Sequence, residues 1–241
     1  MAFQKGDFVT INYTGKLVDG TVFDTTVEAI ARSAGLNSKA TYGPVTVQIG
    51  ERHAIPGIDD ALVGKSVGTY TVVVPAEQGF GKKSAKLLKL VPMGQFKKQQ
   101  IQPMPGLELN IDGEYGVIRS VSGGRVVVDF NHPLAGQELT YTLEIIKEVT
   151  DPKEKVQAVL TMNRISHENV ELQGDHAIIT MSRLAPQPIL DALEKEIRKS
   201  GPKQVSFQNT APPHEQKHDH THEHPHEQPH DGHDHTGHKH E

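Results

Sequence analysis

The sequence predicts an α+β protein assembled from more than one piece. Three observations carry this. Apolar and polar residues alternate with the period of half-buried strands, as at Val9, Ile11 and Tyr13 and again at Leu139, Tyr141, Leu143 and Ile145. Short helical signals, opened by proline or capped by aspartate, accompany these runs. Between Gly81 and Asn131 the character changes to lysine-rich sequence around scattered apolar residues, so two strand-bearing segments are held apart by a third of another kind.

The elements follow in order. The run at Val9 is a strand, and Asp19-Gly20 is a two-residue hairpin signal that returns the chain through Thr21-Val22-Phe23. Residues 25–44 are punctuated by Gly35 and Gly43-Pro44, which reads as a loop with a short helix at residues 27–33. Residues 45–49 form another strand. Pro56 opens a helix, where its missing N–H is harmless, and Gly64 ends it. Residues 69–74 are β-branched and read as a strand; the run at Leu139 is the last strand of this part.

Inside the interruption, residues 107–110 are a short strand candidate. Residues 115–121 and 125–130 form a hairpin across Ser122-Gly123-Gly124. That is enough for a small β-rich domain, and a structureless loop of such length is improbable in a compact protein. After it, Asp151-Pro152 caps and opens a helix carrying Val156, Val159 and Leu160. Strands follow at 170–172 and 177–181, then a helix with Leu190, Leu193 and Ile197 on one face and a Glu194–Arg198 pair outside, then a strand at 205–207. The predicted division is 1–83 with 130–150 as one discontinuous domain, 84–129 as the insert, 151–209 as a small C-terminal α+β domain, and 210–241 as a disordered tail too polar to offset its ordering entropy.

Composition narrows the function. The net charge of −5 gives no basis for a nucleic-acid surface, and no apolar run reaches the ~18 residues that span a bilayer. The chain has no cysteine, which excludes disulfides, thiol catalysis and cysteine-ligated zinc and fits a reducing cytoplasm. No signal-peptide core precedes the first strand, so a cytoplasmic protein is expected.

The segments GDFVTINYTGKLVDGTVFD, VQIGERHAIPGIDDALVGKSVGTYTVVVPAEQGFG and NHPLAGQELTYTLEIIKEV together resemble the FKBP family of peptidyl-prolyl cis-trans isomerases. The interruption resembles the insert-in-flap domain of SlyD-like members, and the whole is most similar to long archaeal FKBPs with an extra C-terminal domain. The resemblance implies an antiparallel sheet wrapped on a short helix, with a pocket that turns Xaa-Pro bonds. It implies that Tyr13, Phe23 and Tyr141 wall the pocket and that Asp24 and the Tyr13 hydroxyl are polar anchors. The Ile55 N–H would grip the peptide and Phe80 would close one side; His132 and Leu139 would be rim and wall. Ile58 stands at the floor, where short members carry Trp, and Phe80 stands where the family has Tyr; both departures bear against tight macrolide binding.

Unfolded or proline-containing polypeptides are the expected partners, with no nucleic acid and no membrane. Leu88, Val91, Met93, Phe96, Ile101 and Met104 of the insert are the candidate capture surface for unfolded chain, since flexible methionines suit a promiscuous groove. Isomerisation needs no cofactor. Eleven of the fifteen histidines lie in the tail: His214, His218, His220, His222, His224, His226, His230, His233, His235, His238 and His240. Neutral imidazoles spaced among carboxylates suit divalent Ni, Zn, Cu or Co, and the resemblance implies nickel handling. The C-terminal domain, without polar clusters, is expected to pair two copies or to hold another partner. The rival reading is a holdase or nickel metallochaperone with a vestigial pocket.

Overall fold

The computed structural model describes residues 2–111 and 113–210; the expected disorder and metal ligation of the histidine tail fall outside the described residues. β1 (Phe8–Lys16) is the spine of the first sheet. On one side it runs antiparallel to β9 (Leu139–Val149) along its whole length. On the other it pairs first with β3 (Val45–Gln48) and then with β2 (Val22–Thr25). β4 (Gly68–Val74) lies on the far side of β9. Two helices belong here, α1 (Glu28–Ser33) and α2 (Pro56–Leu62). The sheet wraps α2: Ile58 and Leu62 pack into a core with Val9, Ile11, Ile49, Val74, Leu143 and Ile145. Each such side chain contributes about 1.5–3 kcal/mol on burial, so this half needs no disulfide.

The first hairpin differs from the expected one by a residue. Gly20 N–H donates to Leu17 O and Leu17 N–H to Thr21 O, so Val18-Asp19 is the turn and Gly20, at φ +86°, is the left-handed residue after it. Asp19 fixes this choice by accepting from the Thr21 N–H at 2.9 Å, and the three-residue loop replaces the two-residue one.

The insert is a four-stranded antiparallel sheet in the order β5 (Leu88–Pro92), β8 (Arg125–Asp129), β7 (Glu114–Ser122), β6 (Glu108–Ile111), with α3 (Met93–Lys98) after β5. Gly123 and Gly124 both take positive φ in the β7–β8 turn, as a two-residue hairpin requires. The sequence did not predict β5 or α3. In Leu88-Lys89-Leu90-Val91 the leucines point to solvent and Val91 points in, so no apolar–polar alternation marks the strand. Val91 and Phe96 are corrected here: with Ile118, Val126 and Val128 they form the insert's own core, so neither is a surface group.

The neck of the insert is a polar knot. Asn131 accepts from Ser84 N–H at 2.7 Å and donates to Ser84 O and to Asp129, tying the outgoing strand to the incoming one. Arg119 donates twice to Asp129. Burial alone raises the Asp129 pKa, but the Asn131 and Arg119 hydrogen bonds outweigh it and hold the carboxyl below its usual range.

The C-terminal part has α4 (Pro152–Met162) and α5 (Gln187–Lys199) on a sheet ordered β10 (Asn169–Gln173), β11 (His176–Met181), β12 (Gln204–Asn209). Asp151 caps α4 by accepting from Lys153 N–H at 2.7 Å. β12 runs parallel to β11, which a hairpin cannot achieve; α5 is the crossover that makes it possible. Its core takes in two residues of the first sheet, Phe8 and Val149, which face each other across β1 and β9. α4 is therefore packed onto the end of that sheet.

Candidate active site

Six side chains form one connected run. His132 stacks on Phe80 with centroids 4.4 Å apart and planes 3° from parallel. Phe80 meets Phe23 edge-on at 6.3 Å, Phe23 meets Tyr141 at 5.7 Å, and Tyr141 meets Tyr13 at 6.1 Å. The Tyr13 hydroxyl then donates to Asp24 Oδ2 at 3.0 Å. Strand geometry explains the gathering. β1 and β9 place Tyr13 and Tyr141 two residues out of register on neighbouring strands, and β2 pairs Asp24 with Gly15. Gly15 has no side chain for a reason: a Cβ there would stand 2.6 Å from the Phe23 ring and 2.8 Å from the Tyr141 ring.

These residues surround a groove of about 810 Å³ whose wall includes Tyr13, Asp24, Ile55, Ile58, Phe80 and Tyr141. Phe23 and His132 support the wall rings through the contacts above. Leu139 is fully buried in the core behind them, so it backs the groove and does not face it. Ile55 is the residue before α2, in extended backbone at φ −58°, ψ 148°. Among the described residues no group accepts from its N–H. The loop leading to it is fixed by the buried Asp59, which accepts from Gly50 N–H at 2.8 Å and Arg52 N–H at 3.2 Å while Arg52 sits in the left-handed region.

The hydroxyls divide the polar work. The Tyr13 O–H donates to Asp24 Oδ2, so the two expected polar anchors are joined to each other. Phe80 has none. The Tyr141 hydroxyl has no hydrogen-bond partner among the described residues, although Tyr141 lines the groove. Burial, joined by the Asp24 charge, pushes both tyrosines far above the usual phenol range. Both stay protonated wherever the protein works. The sign for stability follows: above pH ~10 an unfolded tyrosine loses its proton while these two keep theirs, so folding weakens as pH rises. Urea unfolding between pH 8 and 11 should show this loss, and a Tyr13→Phe, Tyr141→Phe double variant should lose less. An equal loss in the variant would assign the alkaline instability to other groups.

Sequence reasoning missed part of the groove. Its wall continues over residues 44–47, His53 and Lys147, and onto Gln157, Thr161 and Met162 of α4. No motif marks these residues; only contact across the fold brings them in.

Comparison with known proteins meets this geometry. Residues 1–97 match the FKBP-type peptidyl-prolyl cis-trans isomerase family, and residues 89–134 match the insert-in-flap domain described for FKBP26. A short-type peptidyl-prolyl cis-trans isomerase of Methanocaldococcus jannaschii is 33% identical over 144 residues, covering 59% of this chain and 91% of that protein. The chain belongs to the FKBP-type peptidyl-prolyl cis-trans isomerases. The SlyD isomerase of Haemophilus influenzae is 33% identical over 152 residues, 61% of this chain and 72% of the relative. A 16 kDa FKBP-type isomerase of Escherichia coli is 30% identical over 149 residues, 60% and 92% respectively. The inserted domain and the SlyD relative place this isomerase with the SlyD-like members. Such domains need no cofactor. Among the described residues no helix is long and apolar enough to cross a membrane, and no cluster of three potential metal ligands occurs.

Proposed function

We propose that the groove isomerises Xaa-Pro bonds by favouring the twisted amide, and that the insert holds unfolded chain nearby. An Xaa-Pro bond turns slowly because amide resonance must be broken. A twisted amide is less conjugated and its carbonyl less solvated, so an apolar aromatic cradle with few fixed polar groups favours it over the planar form. The observation that carries this reading is the connected ring cluster around one groove. Tyr13, Phe23, Phe80 and Tyr141 supply the cradle, with Ile58 as floor and Leu139 and His132 behind. The Ile55 N–H grips a substrate carbonyl, and the Tyr141 hydroxyl replaces the donor that Phe80 lacks. Asp24, held by Tyr13, places its charge at the groove edge. No nucleophile or proton transfer is required.

The insert's role rests on its edge strand. Leu88 and Leu90 of β5 are 46% and 62% exposed, and Leu87, just before the strand, is exposed too; elsewhere in the insert Met104 and Tyr115 are exposed. An exposed apolar edge strand offers both backbone pairing and side-chain burial to an unfolded segment. Leu88 and Met104 from the expected set thus remain surface groups; Met93 and Ile101 pack partly against the core. The division into 1–83 with 130–150, 84–129, 151–209 and 210–241 belongs to this reading. So do cytoplasmic location, binding of Ni, Zn, Cu or Co by the tail histidines, and pairing of two copies through 151–209. Equilibrium dialysis with nickel tests the tail: no bound metal would remove that role. Sedimentation tests the pairing: a monomer at micromolar concentration would remove it.

Replacing residues 84–129 by a short Gly-Ser link separates capture from catalysis. Activity on a proline tetrapeptide should stay within about twofold. Acceleration of proline-limited refolding should fall about a hundredfold, the range of effective-concentration gains. If the intact chain accelerates neither reaction, the pocket does not isomerise and a holdase reading takes its place.

A further inference from the structure

The groove extends beyond the residues that handle the Xaa-Pro bond. Residues 44–47 wall it in succession. β3 pairs with β1 on one side, and among the described residues no strand pairs with its other side. Facing this stretch, α4 contributes Gln157, Ala158, Thr161 and Met162. The outer groove is thus bounded by β3, whose second side pairs with no strand among the described residues, and by a helix with both apolar and polar side chains. That combination suits an extended polypeptide, whose backbone a strand edge accepts whatever its side chains.

α4 is fixed in this position from three directions. Lys147 of β9 reaches Glu154 at 2.8 Å. His53, itself on the groove wall two residues before Ile55, reaches Glu196 of α5 at 3.0 Å. Glu196 also accepts from Asn163 at the end of α4 at 2.9 Å. Beneath, Phe8 and Val149 share the core that holds Val156 and Leu160. α4 follows β9 in the chain, beyond the residues 1–97 and 89–134 that match the isomerase family and its insert.

We propose that α4 is the outer wall of the substrate groove and binds the extended chain flanking the Xaa-Pro bond. The proposal rests on the isomerase site described above. The intact protein should be assayed with a proline tetrapeptide and with a 12-residue peptide of the same Xaa-Pro centre. The longer peptide is expected to show a KM about tenfold lower, the equivalent of one or two more buried side chains. Gln157→Trp and Thr161→Trp, both on the groove wall that α4 contributes, should each erase that length advantage, so that the two peptides show the same KM; Thr161→Ala should keep it. The insert cannot produce this pattern, because neither substitution touches it. An unchanged urea midpoint certifies that each variant is folded, and the length effect in the unmodified protein needs no variant at all. Equal KM values for both peptides in the unmodified protein, or a full length advantage in both Trp variants, would overturn the proposal. No turnover of either peptide would instead sink the isomerase site itself.

Discussion

Truncating Tyr141 to alanine is expected to lower kcat/KM on a proline tetrapeptide by about a hundredfold or more, the loss that follows from ~3 kcal/mol of transition-state binding. Tyr141 is the hub of the cluster: its ring meets Tyr13 and Phe23 edge-on, and it is only 2% exposed. Removing it deletes the surface against which a twisted amide would lie and frees two neighbouring rings. Each aromatic pair contributes about 0.5–1.5 kcal/mol beyond area burial, and a large buried ring replaced by alanine costs about 3–5 kcal/mol of stability. The variant must therefore be assayed well below its own melting transition. Tyr141→Phe keeps the ring and removes only the hydroxyl. One hydrogen bond is worth about 0.5–1.5 kcal/mol, so at most about a tenfold loss is expected. If Tyr141→Phe matched the alanine variant, the hydroxyl and not the cradle would dominate. If a folded Tyr141→Ala variant kept full activity, the groove would not be where the bond turns.

Legibility in the sequence tracked the range of the interaction. Tyr13 and Tyr141 sit on strongly alternating strands, and Pro56 and Asp151 announce their helices by local backbone chemistry, so all four could be read directly. The SlyD-like family was legible from short motifs in a fixed order. The division of hydroxyls was not, because that Tyr13 donates to Asp24 depends on β1 and β2 meeting in one register. β5 escaped notice since Leu88 and Leu90 put apolar residues on the solvent side, against the usual pattern of a half-buried strand. The groove wall on α4 was invisible for the opposite reason. Gln157 and Thr161 look like ordinary solvated helix positions, while Val156, Val159 and Leu160 declare the buried stripe. Only the packing of α4 on Phe8 and Val149 turns that polar side toward a groove.

Gly57 poses a sharper conflict between local and tertiary rules, and Gly57→Ala is expected to destabilise the protein. Propensity argues the other way: glycine inside a helix costs about 0.5–1 kcal/mol relative to alanine, so the substitution should help. Contact decides against it. A Cβ on Gly57 would stand 2.6 Å and 2.9 Å from the two methyls of Val74 and 3.2 Å from its Cβ. Val74 is fully buried on β4, and a β-branched side chain has little freedom to rotate away. The helix must lift instead, at an overpacking cost of about 1–3 kcal/mol, which exceeds the propensity gain over most of that range. Lifting α2 also moves Ile55 at its start, so tetrapeptide kcat/KM should fall together with the urea midpoint, and the Ile55 amide resonance should shift. Val74→Ala removes the opposing methyls. In a double-mutant cycle, adding Gly57→Ala to that background should cost nothing or stabilise, giving a coupling of about 1 kcal/mol or more between the two sites. An unmodified background in which Gly57→Ala raises the urea midpoint would mean that α2 and β4 do not pack this closely. A cycle without coupling would mean that the loss arises somewhere other than Val74. The same close approach that holds α2 against β4 therefore holds the Ile55 N–H at the mouth of the groove.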